Sequence, residues 1–463
     1  MASDPLQKAL GDAGQAHVLE ALEALPTEKA EALTQELSRL DLGTVGRLRA
    51  LLLQGGTETP PAFSPPALFP LERSSAQEQQ AREAIAMGEG LLADGKVGFL
   101  LVAGGQGSRL GFDGPKGLYP VGPVTGAPLF TWHAARIHAA RRRSGVRHPW
   151  FIMTSRTNDA ATRRWFEEND HLGLGADTVH FFVQSMLPAL DSAGRMLFSA
   201  PGELFLAPNG HGGTLEALAS SGMLERAAAE GIEQLSYFQV DNPLVRPADP
   251  LFLGLHALEG AEMSSKVVAK RDADEKVGVL GLADGRLGCI EYSDLPADLR
   301  NQTDAGGALT YRAGNIATHV IRLDFIERLT SSGTLELPWH LARKRMKAVD
   351  LQGNSTEVDG VKFETFVFDA LGETERSVVL EVDRALEFSP VKNAEGSDSP
   401  ATCREAMTSM FAGWLRDAGR PVPPDGPDGR PALEVDPRIA EDSSTFATSS
   451  CQAREVEGGT LYA

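Results

Sequence analysis

Apolar residues fall into two rhythms along the chain. Over residues 1–54 they recur at helical spacing, as with Leu33, Leu37 and Leu40. Asp4 is placed to cap a helix opened by Pro5, and Thr27 to cap another. This N-terminal helical segment reads as a small packing or dimer module. Residues 55–75 contain Pro60, Pro61, Pro65, Pro66 and Pro70 and read as an extended, stiffened linker. A helix is expected from about Ala76 to Asp94.

From Val97 the rhythm changes. Val97–Val102 is an almost continuous apolar run, the pattern of a strand buried on both faces. Further strands are expected at Trp150–Thr154, Val179–Val183, Leu235–Val240 and Lys266–Ala269, with helices at Pro128–Arg143 and Ala160–Asn169. Arg141-Arg142-Arg143 at the end of the first of these helices reads as a solvated helix end. Alternating strands and helices predict a doubly wound α/β domain with a mostly parallel sheet, taken as residues 76–345. Residues 346–463 are shorter-patterned and predict a small β-rich domain. Within it, strands are expected at Phe363–Asp369 and Val378–Val382, a helix at Thr402–Asp417 and a Pro/Gly-rich stretch at Arg420–Pro431.

The stretch after the first buried strand carries candidate chemistry. Gly104, Gly105 and Gly107 let the backbone turn tightly, and successive N–H groups in such a loop form a nest for phosphate oxygens. Glycines alone are equally compatible with an ordinary strand-to-helix turn. Arg109 and Lys116 add a rigid guanidinium fork and a mobile point charge, and Pro115 pins the backbone before the lysine. A Walker A loop is excluded because Gly117 follows Lys116, and a Rossmann fingerprint because Leu110 stands where its last glycine belongs. Asp241, after the apolar strand and before Asn242-Pro243, is a carboxylate at a strand's carboxyl end, placed to hold Mg²⁺.

Composition narrows the classes. With 42% hydrophobic and 23% charged residues the chain is that of a globular protein. A net charge of −19 argues against nucleic acid as a partner. No apolar run reaches the roughly 18 residues of a membrane span, and no secretory signal is visible at the N-terminus. Three separated cysteines, Cys289, Cys403 and Cys451, offer neither a disulfide framework nor a zinc site. A cytoplasmic location is the expectation.

The motif G-G-x-G-[ST]-R-L-G-x(3)-P-K resembles the signature of sugar-nucleotide pyrophosphorylases. The resemblance extends in matching order from about Lys96 to Asn393, through the blocks IMTS (Ile152–Ser155), FFVQSMLP (Phe181–Pro188), APNGHGG (Ala207–Gly213), VDNPLVRPADP (Val240–Pro250), EYSD (Glu291–Asp294), AGNIATH (Ala313–His319), VKFETFVFD (Val361–Asp369) and EFSPVKNA (Glu387–Ala394). Taken together they resemble the UDP-N-acetylhexosamine pyrophosphorylases and their UDP-sugar and UTP–glucose-1-phosphate relatives.

The resemblance implies a Rossmann-like nucleotidyltransferase core that joins UTP to a sugar 1-phosphate with Mg²⁺ as cofactor, as a monomer or homodimer. It implies that Val102, Ala103, Gly104, Gly105, Gln184 and Gly210 hold the nucleotide. Asp241 would hold the metal, and Lys362 and Lys392 would contact nucleotide phosphate. Arg109, Lys116 and Lys392 become the catalytic charges, and His211, Glu291 and Asn315 the sugar contacts. Gln184 has the paired donor and acceptor that a uracil edge requires. The sugar is expected to be N-acetylglucosamine. The N-acetylhexosamine enzymes usually read G-N-G-G where this chain has Gly210-His211-Gly212-Gly213, and the glucose enzymes G-H-G-D. Glucose or a broad set of sugars is therefore the alternative. A silent UDP-sugar-binding protein is the remote one, disfavoured because all the charged positions are present.

Overall fold

The computed structural model describes residues 4–54, 61–292, 294–331, 335, 337–350, 353–425, 429 and 431–463. The chain divides into two compact units that interleave along the sequence. One comprises Met1–Pro61, Gln184–Glu216 and Leu335–Asp369, and the other Ala62–Val183, Ala217–Thr334 and Ala370–Ala463.

The larger unit is built on a ten-stranded sheet. Its centre is four parallel strands in the order Gln234–Gln239, Val97–Val102, Trp150–Thr154, Val179–Val183. All but one residue of Val97–Val102 and all of Trp150–Thr154 are buried, which is why both read as unbroken apolar runs. Beyond Gln234–Gln239 the sheet continues antiparallel through Ala313–Arg322, which also pairs with Met263–Ala269 and Val279–Ala283. Helices Ser75–Ala93, Leu129–Ser144 and Asp159–Glu168 form as their spacing predicts. The first starts at a full capping box of Ser74 and Gln77. In the four-strand centre the chain order is fourth, first, second, third. The direction of winding therefore reverses between Val97–Val102 and Gln234–Gln239, the switch point where such sheets bind ligands. Helix Pro400–Asp417 and a three-stranded sheet of Leu433–Val435, Gly459–Tyr462 and Ala453–Val456 complete this unit.

The smaller unit joins four N-terminal helices to an antiparallel sheet. Its main feature is a long hairpin, His340–Val349 against Ser355–Glu364. Leu10, Val18, Leu33, Leu37, Val45 and Leu48 from the helices share one apolar core with Leu190, Val361 and Phe363 from the sheet. Gln15, fully buried, donates to the Gly194 carbonyl at 2.8 Å and accepts from the Met196 N–H at 2.8 Å, tying the helices to the sheet loop.

Four expectations change. The chain does not divide linearly at 54 and 345, because the N-terminal helices bury their apolar faces against strands around residues 190 and 360. Thr27 begins a helix without capping it; Pro26 stands at the cap and no side-chain bond is made. The strand expected at Phe363–Asp369 ends at Glu364, and a 3₁₀ segment follows from Val367. Arg141 is no solvated end, since it donates to the carbonyls of Leu174 and His148. Arg143 likewise pairs with Glu441 at 2.6 Å. Of the expected linker, residues 55–60 lie outside the described residues, while Phe63–Ser64 adds to the sheet edge. Among the described residues no helix is long and apolar enough to cross a membrane.

Candidate active site

In the larger unit the glycine loop leaves the sheet at the switch point. Ala103 is buried, and its N–H donates to the Met153 carbonyl, continuing the sheet pairing for one residue. The loop then folds back on itself. Lys116 N–H donates to the Gly105 carbonyl at 3.1 Å, and Gly107 N–H to that of Gly114 at 2.9 Å. Gly104 is half-buried and Gly105 exposed, with only Lys116 Cδ near the position a Cβ would take. Val102, the last residue of the strand, is half-buried.

Asp241 follows the neighbouring strand, whose extension is fixed by the Val240 N–H donating to the Val102 carbonyl at 3.1 Å. Register thus brings the two strand ends together, and Lys116 Nζ lies 3.4 Å from Asp241 Oδ2. Both side chains keep a little exposure, 16% and 13%, so the pair faces solvent from a recess. Behind it, His133 is fully buried and its Nε2–H donates to the Val240 carbonyl at 3.0 Å. Burial pushes its pKa down to about 4, so it is neutral and adds no charge beside Asp241. Arg109 lies on a 3₁₀ turn, Ser108–Leu110, exposed and without a partner among the described residues. Lys392 is exposed, its Nζ 5.7 Å from the Phe388 ring centroid. Its segment is held to Asp241 by the Val391 N–H, which donates to the Asp241 carbonyl at 2.8 Å.

Glu291 and Asn315 meet around Gly278 in the same unit. Asn315 N–H donates to the Gly278 carbonyl at 2.8 Å, and a side chain at Gly278 would come within 3.5 Å of Glu291 Oε1. Asn315 Oδ1 accepts from the Ala317 N–H at 2.9 Å, which sets the amide's orientation.

The smaller unit holds a second cluster. Gln184, buried, donates to the Gly210 carbonyl at 2.6 Å and to Asn209 Oδ1 at 3.3 Å. Gly210 adopts φ +81°, and a Cβ there would fall 2.3 Å from the Thr365 carbonyl oxygen. Its close approach is thus to its own chain. His211 stacks on Phe366 at 5.2 Å, and its Nδ1 accepts from the Val367 N–H at 3.2 Å. That bond makes Nδ1 the acceptor and Nε2 the protonated nitrogen of the neutral ring. Lys362 is half-buried, its Nζ 5.5 Å from the Phe205 ring centroid. Lys362 and Lys392, expected within one C-terminal domain, therefore belong to different units.

The structure also exposes residues that the sequence did not single out. Asn158 Nδ2 donates to the carbonyls of Ala103 and Gly105, at 2.9 and 3.2 Å, while its Oδ1 accepts from the Ser155 N–H. It fixes the glycine loop from behind. Its position three residues after Ser155, in a strand-to-helix turn, was the available signal. Asn209 links Gln184 to Glu216. Glu434, buried, accepts from the Val124 and Thr125 N–H groups at 2.8 and 3.0 Å and pins the loop that follows Lys116.

Among the described residues no cluster of three or more His, Cys, Asp or Glu side chains forms a complete metal cage. The single carboxylate of Asp241 fits a cation that takes most of its ligands from phosphate and water, the coordination habit of Mg²⁺.

Comparison with known proteins agrees with this architecture. A family model described as UTP–glucose-1-phosphate uridylyltransferase matches residues 69–408. The chain is 33% identical to the UDP-N-acetylglucosamine pyrophosphorylase of Saccharomyces cerevisiae over 88% of its length and 90% of that protein. It is 38% identical to UDP-N-acetylhexosamine pyrophosphorylase-like protein 1 of Xenopus tropicalis, covering 71% of this chain and 66%, just under two thirds, of the relative. The crystal structure of the uridine diphosphate N-acetylglucosamine pyrophosphorylase from Trypanosoma brucei superimposes with a TM-score of 0.82 at 28% identity, covering 96% of this chain and 94% of that one. With a family model spanning most of the chain and a relative matched along nearly its whole length, the chain belongs to the UTP–glucose-1-phosphate uridylyltransferase family of nucleotidyltransferases.

Proposed function

We propose that the protein transfers uridylyl from UTP to N-acetylglucosamine 1-phosphate, giving UDP-N-acetylglucosamine and pyrophosphate. The observation that carries this is the Lys116–Asp241 pair, 3.4 Å apart at the sheet's switch point beside an open glycine loop. It sets a mobile cation and an anchored carboxylate where a triphosphate would sit. The sugar is proposed from the relatives named as UDP-N-acetylglucosamine pyrophosphorylases.

The reaction forms a bond between a sugar-phosphate oxygen and the α-phosphorus of UTP and breaks the bond from that phosphorus to pyrophosphate. No covalent intermediate is required, so catalysis rests on positioning and charge. The N–H groups of Gly104 and Gly105 bind the nucleotide, with Val102 and Ala103 as the strand end that leads into them. Arg109 and Lys116 offset charge on the triphosphate and on the leaving pyrophosphate. Lys392 steadies phosphate beside Asp241. Asp241 is the residue proposed to hold Mg²⁺, which would supply positive charge to offset that of the phosphates. Glu291 and Asn315 are the proposed sugar contacts in this unit. Gln184, Gly210, His211 and Lys362 carry the remaining proposed contacts.

His211 favours a second reading, in which glucose 1-phosphate is the acceptor, because the glucose enzymes have histidine at the matching position. Pyrophosphate release by the purified chain with UTP, Mg²⁺ and each sugar phosphate decides between them. Faster turnover with N-acetylglucosamine 1-phosphate supports the first reading and faster turnover with glucose 1-phosphate the second. No release with either would overturn both.

A further inference from the structure

Lys266 has no exposed surface at all. Its Nζ lies 2.6 Å from Asp249 Oδ2 and 2.6 Å from Glu387 Oε2, with the Phe252 ring centroid 5.5 Å away. Burying an ammonium ion with two carboxylates is costly, and an apolar trio of similar volume would be at least as stable. A lysine in such a place calls for a reason other than stability.

The geometry around Glu387 supplies one. The Glu387 backbone carbonyl accepts from Asn242 Nδ2 at 2.7 Å. Asn242 Oδ1 in turn accepts from the Ser389 N–H at 3.1 Å and the Leu244 N–H at 3.3 Å. Two residues further, the Val391 N–H donates to the Asp241 carbonyl. The segment that ends in Lys392 is therefore stapled along the segment that begins with Asp241. Lys266 grips the start of that staple. Its other partner, Asp249, caps the helix Pro250–Leu258 by accepting from the Leu251 N–H, so the grip is referred to a rigid element. Lys266 also stands at the irregularity in its own strand, where the partner register jumps from Thr318 to Asn315. Such a break re-aims side chains beside it.

We infer that Lys266 is a positioning residue for the uridylyl transfer: through Glu387 it sets the placement of Lys392 relative to Asp241. The inference rests on the function proposed above. A misplacement of about 1 Å in such a group costs up to about 100-fold in rate.

The test is a double-mutant cycle together with hydrogen exchange on the full chain. Lys266→Met is expected to lower kcat by about 10- to 100-fold, leaving the KM for UTP within about threefold. Adding Lys392→Ala to Lys266→Met is expected to cost far less than Lys392→Ala costs in the parent, because the lysine is already misplaced. Amides of residues 387–392 and 241–244 are expected to exchange at least about tenfold faster, with those of Val97–Val102 unchanged. Rate factors that simply multiply, an unchanged kcat, or unchanged exchange over 387–392 would each overturn the inference. Glu387→Gln, which leaves Lys266 paired with Asp249, gives the same cycle if Lys266→Met does not fold. A parent chain inactive with every sugar phosphate sinks the functional reading alone, and the exchange measurement still decides whether Lys266 organises the segment.

Discussion

Two glycine-rich loops in this molecule look alike in sequence and differ in use. In the loop Gly104–Lys116, Gly105 is exposed and only the tail of Lys116 lies near its missing side chain. In the loop Asn209–Gly213, every glycine is pressed on by its own chain. A Cβ on Gly210 or Gly212 would collide with the Thr365 backbone, and one on Gly213 would lie 2.0 Å from Asn209 Oδ1. At Gly105 the first loop leaves room beside its backbone for something that is not protein, although its Gly107 packs on Phe112, whereas the second loop spends all three glycines on packing. Glycine spacing alone does not distinguish the cases; what surrounds the absent side chain does.

The contrast can be broken most sharply at Lys116. Lys116→Ala is expected to lower turnover by about 10²–10³, by analogy with loss of a donor to a developing charge, while the thermal transition stays in place. Undiminished turnover would remove the first loop from the chemistry.

Acid tests the larger unit, in which the first loop is rooted. His133 and His256 of the larger unit are buried, and burial holds them at about 4 and about 3, below the ordinary imidazole value of 6.5. Their neutral forms contribute stability that is fully present above pH 6.5 and is lost as pH falls from there toward 4, since the unfolded chain takes up the protons first. The upper limits are about 3 kcal/mol for His133 and about 5 kcal/mol for His256. Unfolding followed by tryptophan fluorescence should show stability falling across that window, and a flat profile between pH 6.5 and 4 would contradict it.

Glycine-to-alanine exchanges sharpen the comparison further. Gly210→Ala should destabilise by about 1–3 kcal/mol, because a methyl group is forced onto the Thr365 backbone at a positive φ. Gly105→Ala should leave stability within about 0.5 kcal/mol and weaken UTP binding by about 1 kcal/mol, as one added methyl group narrows the nest. Calorimetric melting and UTP titration of both variants check the pair. If both lose only stability, the loops do not differ as described. The smallest effect is expected at His211→Asn, with a shift of about tenfold or less in the rate ratio between the two sugar phosphates. An unchanged ratio would detach His211 from sugar choice.

The parallel centre of the sheet was legible because strands buried on both faces leave continuous apolar runs, as at Val97–Val102 and Trp150–Thr154. The hairpin His340–Glu364 was not. Its strand HLARKRMKAV keeps one face exposed and carries four basic side chains, so its alternation is faint. The interleaved units were equally hidden, because what joins Leu33 to Val361 is a shared core and not proximity in the chain. At the candidate site, chemistry concentrated in short spacings could be read directly, as with Gly104 to Lys116. Supporting residues could not. Asn158 looks like any turn asparagine until its amide is seen holding two carbonyls of the glycine loop. Lys266 opens the strand expected at Lys266–Ala269, and only the fold reveals it as fully enclosed.

The clamp of Glu434 on the loop after Lys116 has a consequence for biosynthesis. Val124 and Glu434 are 310 residues apart. At about 5–20 residues per second, a translating ribosome delivers Glu434 roughly 15–60 seconds after Val124. For that interval the nascent chain carries the Val124–Thr125 turn without its clamp. The turn at Val124 and Thr125 can gain this clamp only after nearly all of the larger unit has been made.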